Sequence, residues 1–131
     1  MNAFVKKYLK IDARCEVVKI TGLPKSKWGY CIKNVDEFCK KIKSATPILA
    51  WSIVTGSGLT VANLHAVIEI KGKLRDITPA VFMETTRTIV REPRMTVARA
   101  RELTQLHNNT FCDIFDGKYT QTPGIDFFDV I

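Results

Sequence analysis

Three residues in this chain of 131 have types that together could carry acyl-transfer chemistry: Cys31, His65 and Asp76. Cys31 stands within "KWGYCIKNVDEFCKKIK" (Lys27 to Lys43), after an aromatic-Gly-aromatic turn and at the point where an amphipathic run begins. A cysteine nucleophile needs an ionised thiol, and a helix N-terminus favours the thiolate through about half a positive charge. It needs a histidine beside it to carry a proton to the leaving group. It also needs a carboxylate or amide on the other ring nitrogen to fix the tautomer. His65 and Asp76 are the candidates for those two roles. Each residue has a plainer reading as well. Cys31 could be a packed core thiol, His65 a structural strand histidine, and Asp76 an acceptor for its own turn.

The elements that must position these residues can be read from pattern. Val35, Phe38, Cys39 and Ile42 recur at helical spacing, so a helix is expected from about Cys31 to Lys43, ended by "SATP". "ILAWSIVTG" reads as a strand and "GSG" as a turn. "TVANLHAVIEI" and "LRDITP" then form a hairpin across Lys71-Gly72. In its first strand, Ala62, Leu64, Ala66, Ile68 and Ile70 share one face, while Asn63, His65, Val67 and Glu69 share the other. A two-residue turn pairs Ile70 with Lys73 and sets His65 opposite Thr78. Asp76 then lies on the face of His65, diagonally about 7–8 Å away. A three-residue loop without a bulge would put it on the opposite face.

The remaining segments complete the frame. "CEVVKI" reads as a short strand within an ordered N-terminal arm, and "TGLPKSKWG" as a loop. "TTRTIVRE" is a further strand before Pro93. "MTVARARELTQLHNNTF" is a helix with Thr96 as N-cap and Val97, Ala100, Leu103 and Leu106 on its apolar side. His107 reads as a residue capping that helix's C-terminus. The tail, turn-rich and ending in an aromatic cluster, needs a docking site. With no repeat, linker or low-complexity segment, residues 1–131 form one domain of class α+β.

The order Cys on a helix, His on the first strand of a hairpin and Asp on the second resembles the papain-like fold. More narrowly, it is similar to the compact core of NlpC/P60- and transglutaminase-like thiol enzymes. The pieces "GYCIKNV", "WSI" and "LHAVIEIKGKLRDITP", from Gly29 to Pro79, also resemble small bacterial and phage proteins with Cys, His-Ala-Val and Gly-x-Leu-x-Asp-Ile-Thr-Pro in this order. The resemblance implies a helix carrying the cysteine packed on an antiparallel sheet, with a further helix near the C-terminus. It implies Cys31 as nucleophile, His65 as general base and acid, and Asp76 as the residue orienting the ring. Papain-type enzymes usually carry a Gln or Asn upstream of the cysteine as an oxyanion donor. Only Lys25, Ser26, Lys27 and Trp28 lie there, so Trp28, Tyr30 and Asn34 are the candidates for that role, with Trp51 and Asn63 as candidate groove residues; core packing explains Trp51 equally well.

Composition bounds the rest. The net charge is +7 and the basic residues are scattered, which favours an acidic partner without a nucleic-acid motif. Lys40, Lys41 and Lys43 read as a solvated helix face. No apolar run approaches the ~20 residues of a membrane span, and the first residues lack signal-peptide character, so a cytoplasmic location is expected. Cys15, Cys39 and Cys112 read as packed thiols rather than disulfide partners. No zinc pattern links the cysteines to His65 and His107, and no cofactor or metal is expected. Two functions follow. One is a thiol hydrolase or acyltransferase acting on a peptide or acyl-type substrate. The other is a non-catalytic basic binding protein of phage or mobile-element type, which would use the same scaffold to hold an acidic protein or nucleic acid.

Overall fold

A computed structural model describes residues 2–23, 26, 30–80, 84–107, 110–111, 113–115, 118–119 and 124–131. The chain opens with α1 (Asn2–Phe4), which runs into a π-helical turn over Val5–Leu9. The order is then β1 (Glu16–Ile20), α2 (Cys31–Lys41), β2 (Ala45–Gly56), β3 (Leu59–Ile70), β4 (Lys73–Asp76), β5 (Thr86–Arg91), α3 (Val97–His107), β6 (Ile114–Phe115), β7 (Lys118–Tyr119) and α4 (Phe127–Val130). The class is α+β; the expected strands and two main helices are present, and α1, the π-helical turn, β6, β7 and α4 were not expected.

The sheet departs from expectation. Its order β2-β5-β1-β4-β3 closes on itself because β2 also pairs with β3, giving a five-stranded barrel. Four of the five contacts are antiparallel, but β1 and β4 are parallel, with Ile20 beside Asp76. A wholly antiparallel sheet is therefore corrected to a mixed, closed one. Closure removes the sheet edges that an open arrangement would leave unpaired. β2 also begins earlier than "ILAW" suggests. Pro47 lies inside it opposite Ile68, where β2 pairs with β3 alone and has not yet met β5. A proline with no ladder bond to donate is tolerated on such an edge.

The two faces of the barrel have different cores. Val18, Ala50, Val67 and Ile89 are buried together with Ile48 and Leu74 packed against them, so all five strands contribute and no helix does. These residues fill the lumen. The alternate residues face outwards and meet the helices: Trp51, Ala62, Ala66, Ile68 and Val90 share one cluster with Val35 of α2 and Val97, Ala100 and Leu103 of α3. Leu106, grouped by spacing with that apolar side, is 73% exposed, and Ile42 lies just past the end of α2 and is also exposed. Thr96 caps α3 as its type predicts, its hydroxyl accepting from the Arg99 N–H at 3.1 Å. The tail finds its dock through Phe127, which stacks edge-on against Trp51 at a centroid distance of 5.1 Å.

Candidate active site

The hairpin sets the geometry. Lys71 and Gly72 both have positive φ, 52° and 77°, the pattern of a two-residue turn that matches strand twist. Ile70 pairs with Lys73 and Ile68 with Arg75, so the register is the one that carries His65 and Asp76 to a common face. That face is the lumen side, shared with Val67 and Leu74. At the end of the barrel where β4 stops, His65 Nε2 and Asp76 Oδ2 lie 2.8 Å apart. Asp76 is completely buried and His65 is 9% exposed. The Thr78 N–H donates to Asp76 Oδ1 at 3.0 Å, and the Thr21 N–H takes the Asp76 carbonyl at 2.7 Å. Asp76 thus bonds its own turn and His65 at once.

α2 delivers Cys31. It begins at Cys31 with no side-chain cap and no acidic residue in its first turn, while Lys40 and Lys41 occupy its last. The positive end of the helix is therefore left for the sulfur. On the side of β3 away from β2, pairing with β6 stops at Ala62 and pairing with β4 resumes at Ile68. Cys31 reaches β3 in that interval. There it is close enough to the His65 side chain and to the backbone N–H groups of Ala66 and Ile32 for all three to favour its thiolate.

The electrostatics follow from these contacts. Burial alone would suppress the Cys31 thiolate, but the bond to His65, its charge and the two N–H groups outweigh that, and the pKa falls below the ordinary thiol value. Burial also opposes the imidazolium. The hydrogen bonds to Asp76 and Cys31 and their negative charges prevail, raising His65 from 6.5 to about 9. For Asp76, burial is overcome by His65, by the Arg87 charge and by the Thr78 N–H, so its carboxyl is held below its usual range. Each shift favours the charged form: thiolate at Cys31, imidazolium at His65 and carboxylate at Asp76. Cys15 and Cys39 are also free thiols, but burial, with the Asp36 charge added at Cys39, pushes both of them up.

A groove of about 1130 Å³ leads to Cys31. Its lining includes Tyr30, Cys31, Asp36 and Lys40 from the start and length of α2, Leu64 of β3, Arg101 of α3, and Asp113. Arg101 Nη1 bonds Asp36 Oδ2 at 2.5 Å and so links the two helices.

The remaining candidates separate. Tyr30 is exposed and lines the groove. Asn34 is buried, and its amide donates to Thr78 Oγ1 at 3.1 Å, fastening α2 to the turn after Asp76. Trp51 is corrected from a groove residue to a core one. It faces outwards from the barrel, is fully buried, and its Nε1–H donates to Glu92 at 3.3 Å. Asn63 lies on the lumen face opposite Ser52, with its Oδ1 buried and unbonded; Leu64, not Asn63, turns to the groove. Trp28 and Cys112 lie outside the described residues, as does the side chain of His107. Among the described residues, no group of three or more His, Cys, Asp or Glu side chains is arranged to hold a metal. No helix there is long and apolar enough to cross a membrane.

One site residue escaped the sequence reading. Arg87 of β5 donates from Nε to Asp76 Oδ2 at 2.6 Å and from Nη1 to Ser52 Oγ at 3.3 Å. The signal available was its place two residues before Ile89 on an alternating strand, which puts it on the lumen face. Comparison with family models, curated proteins and solved structures returned no match.

Proposed function

We propose that the protein is a small papain-like thiol hydrolase or acyltransferase, acting on an amide, isopeptide or thioester through Cys31, His65 and Asp76. One observation carries the reading: His65 Nε2 lies 2.8 Å from a buried carboxylate, with the thiol of a helix start near enough to the same ring for His65 to favour its thiolate. The Cys31 thiolate adds to the carbonyl carbon, and electrons pass to the carbonyl oxygen, with the Cys31 N–H as one oxyanion donor. The tetrahedral intermediate collapses as the His65 imidazolium gives its proton to the departing amine or thiol, leaving a thioester on Cys31. Water or an amine then attacks, His65 takes the proton, and the thiolate leaves. Asp76 stays ionised throughout and holds the ring.

Rapid alkylation tests the reading directly. Iodoacetamide applied to the native protein from pH 5 to 9, with the modified cysteines mapped, should label Cys31 ahead of Cys15 and Cys39 at pH 6. His65→Ala should remove that advantage. Slow labelling of all three with an ordinary thiol pH dependence would end the proposal.

A further inference from the structure

The reading of Cys31, His65 and Asp76 as a triad leaves Arg87 unassigned, yet Arg87 has the shortest contact to the carboxylate. Its Nε bonds the same Oδ2 atom that faces His65, at 2.6 Å against 2.8 Å. Its guanidinium is mostly buried and is tethered to Ser52 of the adjacent strand β2. The other oxygen, Oδ1, is taken by the Thr78 N–H. The carboxylate therefore has three fixed donors from three directions and cannot turn.

We infer that Arg87 is a positioning residue of this site, fixing Asp76 towards His65 and dividing the charge of one carboxylate oxygen between two cations. The inference rests on the triad reading and adds to it. An undivided carboxylate would grip the imidazolium more strongly and slow its release of a proton to the leaving group. Sharing Oδ2 with a permanent cation weakens that grip while keeping Asp76 ionised. Among the described residues, the charged or titratable groups facing His65 are Cys31 from α2, Asp76 from β4 and Arg87 from β5. Ala50 and Ser52 of β2 and Ile20 of β1 bring no charge to this end of the barrel. Removing the cation at residue 87 thus changes one term in the field at His65.

The test uses the full chain, labelled for NMR, and follows the His65 ring through pH 5 to 10.5. The chain has two histidines, so His107→Gln identifies the His65 signal. Arg87→Gln should raise the His65 titration by on the order of one pH unit, and Arg87→Lys, which restores a cation, should reverse most of the shift. An arginine that only filled space would leave the titration in place, and an unshifted His65 in folded Arg87→Gln overturns the inference. A wild-type His65 that titrates near the ordinary value would instead overturn the triad reading itself, which separates the two failures. A second measurement needs no neutral variant to fold. In the wild-type protein the Arg87 Nε–H should resonate downfield and resist exchange, and Asp76→Asn should release it. A freely exchanging Arg87 Nε–H in the wild type overturns the inference.

Discussion

At the scale of single residues, the chemistry depends on two protons whose owners influence each other. Cys31 is ionised below the ordinary thiol range because His65 is charged, and His65 stays charged to about pH 9 because Asp76 and the thiolate surround it. Hydrolysis through this pair requires both forms together, so its rate against pH should be bell-shaped, with macroscopic limbs that belong to the pair. The acid limb marks loss of the thiolate, and the alkaline limb, near 9, marks loss of the imidazolium. Asp76→Asn takes away one of the two negative charges that raise His65. The alkaline limb should then move down towards 6.5, and alkylation of Cys31 at pH 6 should slow by about tenfold or more, about 1.4 kcal/mol or above in ion-pair stability. A profile unchanged by Asp76→Asn would mean that the carboxylate only builds the turn.

At the scale of elements, one turn decides whether the triad exists. β-Strand side chains alternate, so a slip of one residue between β3 and β4 would carry Asp76 out of the lumen. The turn prevents this with Lys71 and Gly72, both left-handed. Lysine accepts that conformation at a cost and glycine at none. Gly72→Ala should therefore lower stability by about 1–2 kcal/mol, although no atom crowds the added methyl. Lys71→Asn should raise it by up to about 1 kcal/mol. Urea unfolding of the two variants checks both signs, and equal effects would mean that the turn is not in this conformation. This hairpin was legible in the sequence because alternation and a Lys-Gly pair are local signals. Cys31 at the helix start was legible for the same reason. Arg87 was not: a strand reading "TRTIVR" puts Arg87 and Arg91 on one face and gives no local sign of which one meets the buried acid beside His65. Trp51 was misread for a related reason. An aromatic beside a suspected site suits a groove or a core equally well until the facing helices are known.

At the scale of the whole molecule, barrel closure brings β5, and with it Arg87, to the same lumen as His65 and Asp76. Nothing local announces closure, since it depends on β2 pairing with both β3 and β5 and on a parallel contact between β1 and β4. The outer layer then secures the groove. Phe127 is the keystone of that layer, edge-on to Trp51 and Phe111 and beneath the Arg94 guanidinium. It is 2% exposed, and its short helix is started by Asp126 accepting from the Phe128 N–H. Immediately before it, the Ile125 N–H donates to the Thr110 carbonyl at 2.7 Å, so the tail holds residues 110–111 against the groove wall. Phe127→Ala should cost about 3–5 kcal/mol, the range for emptying a packed aromatic site. The damage should be uneven. His65 and Asp76 bond each other, Arg87, Thr78 and Thr21, none of them in the tail, so selective alkylation of Cys31 should persist at temperatures where the variant remains folded. Turnover of any substrate that needs the far wall should fall more than that labelling rate. Guanidinium unfolding with parallel labelling measures both effects. A loss below about 1 kcal/mol would mean that Phe127 is not packed as a core residue, whereas a loss of Cys31 selectivity equal to the loss of turnover would mean that groove wall and triad form one cooperative unit.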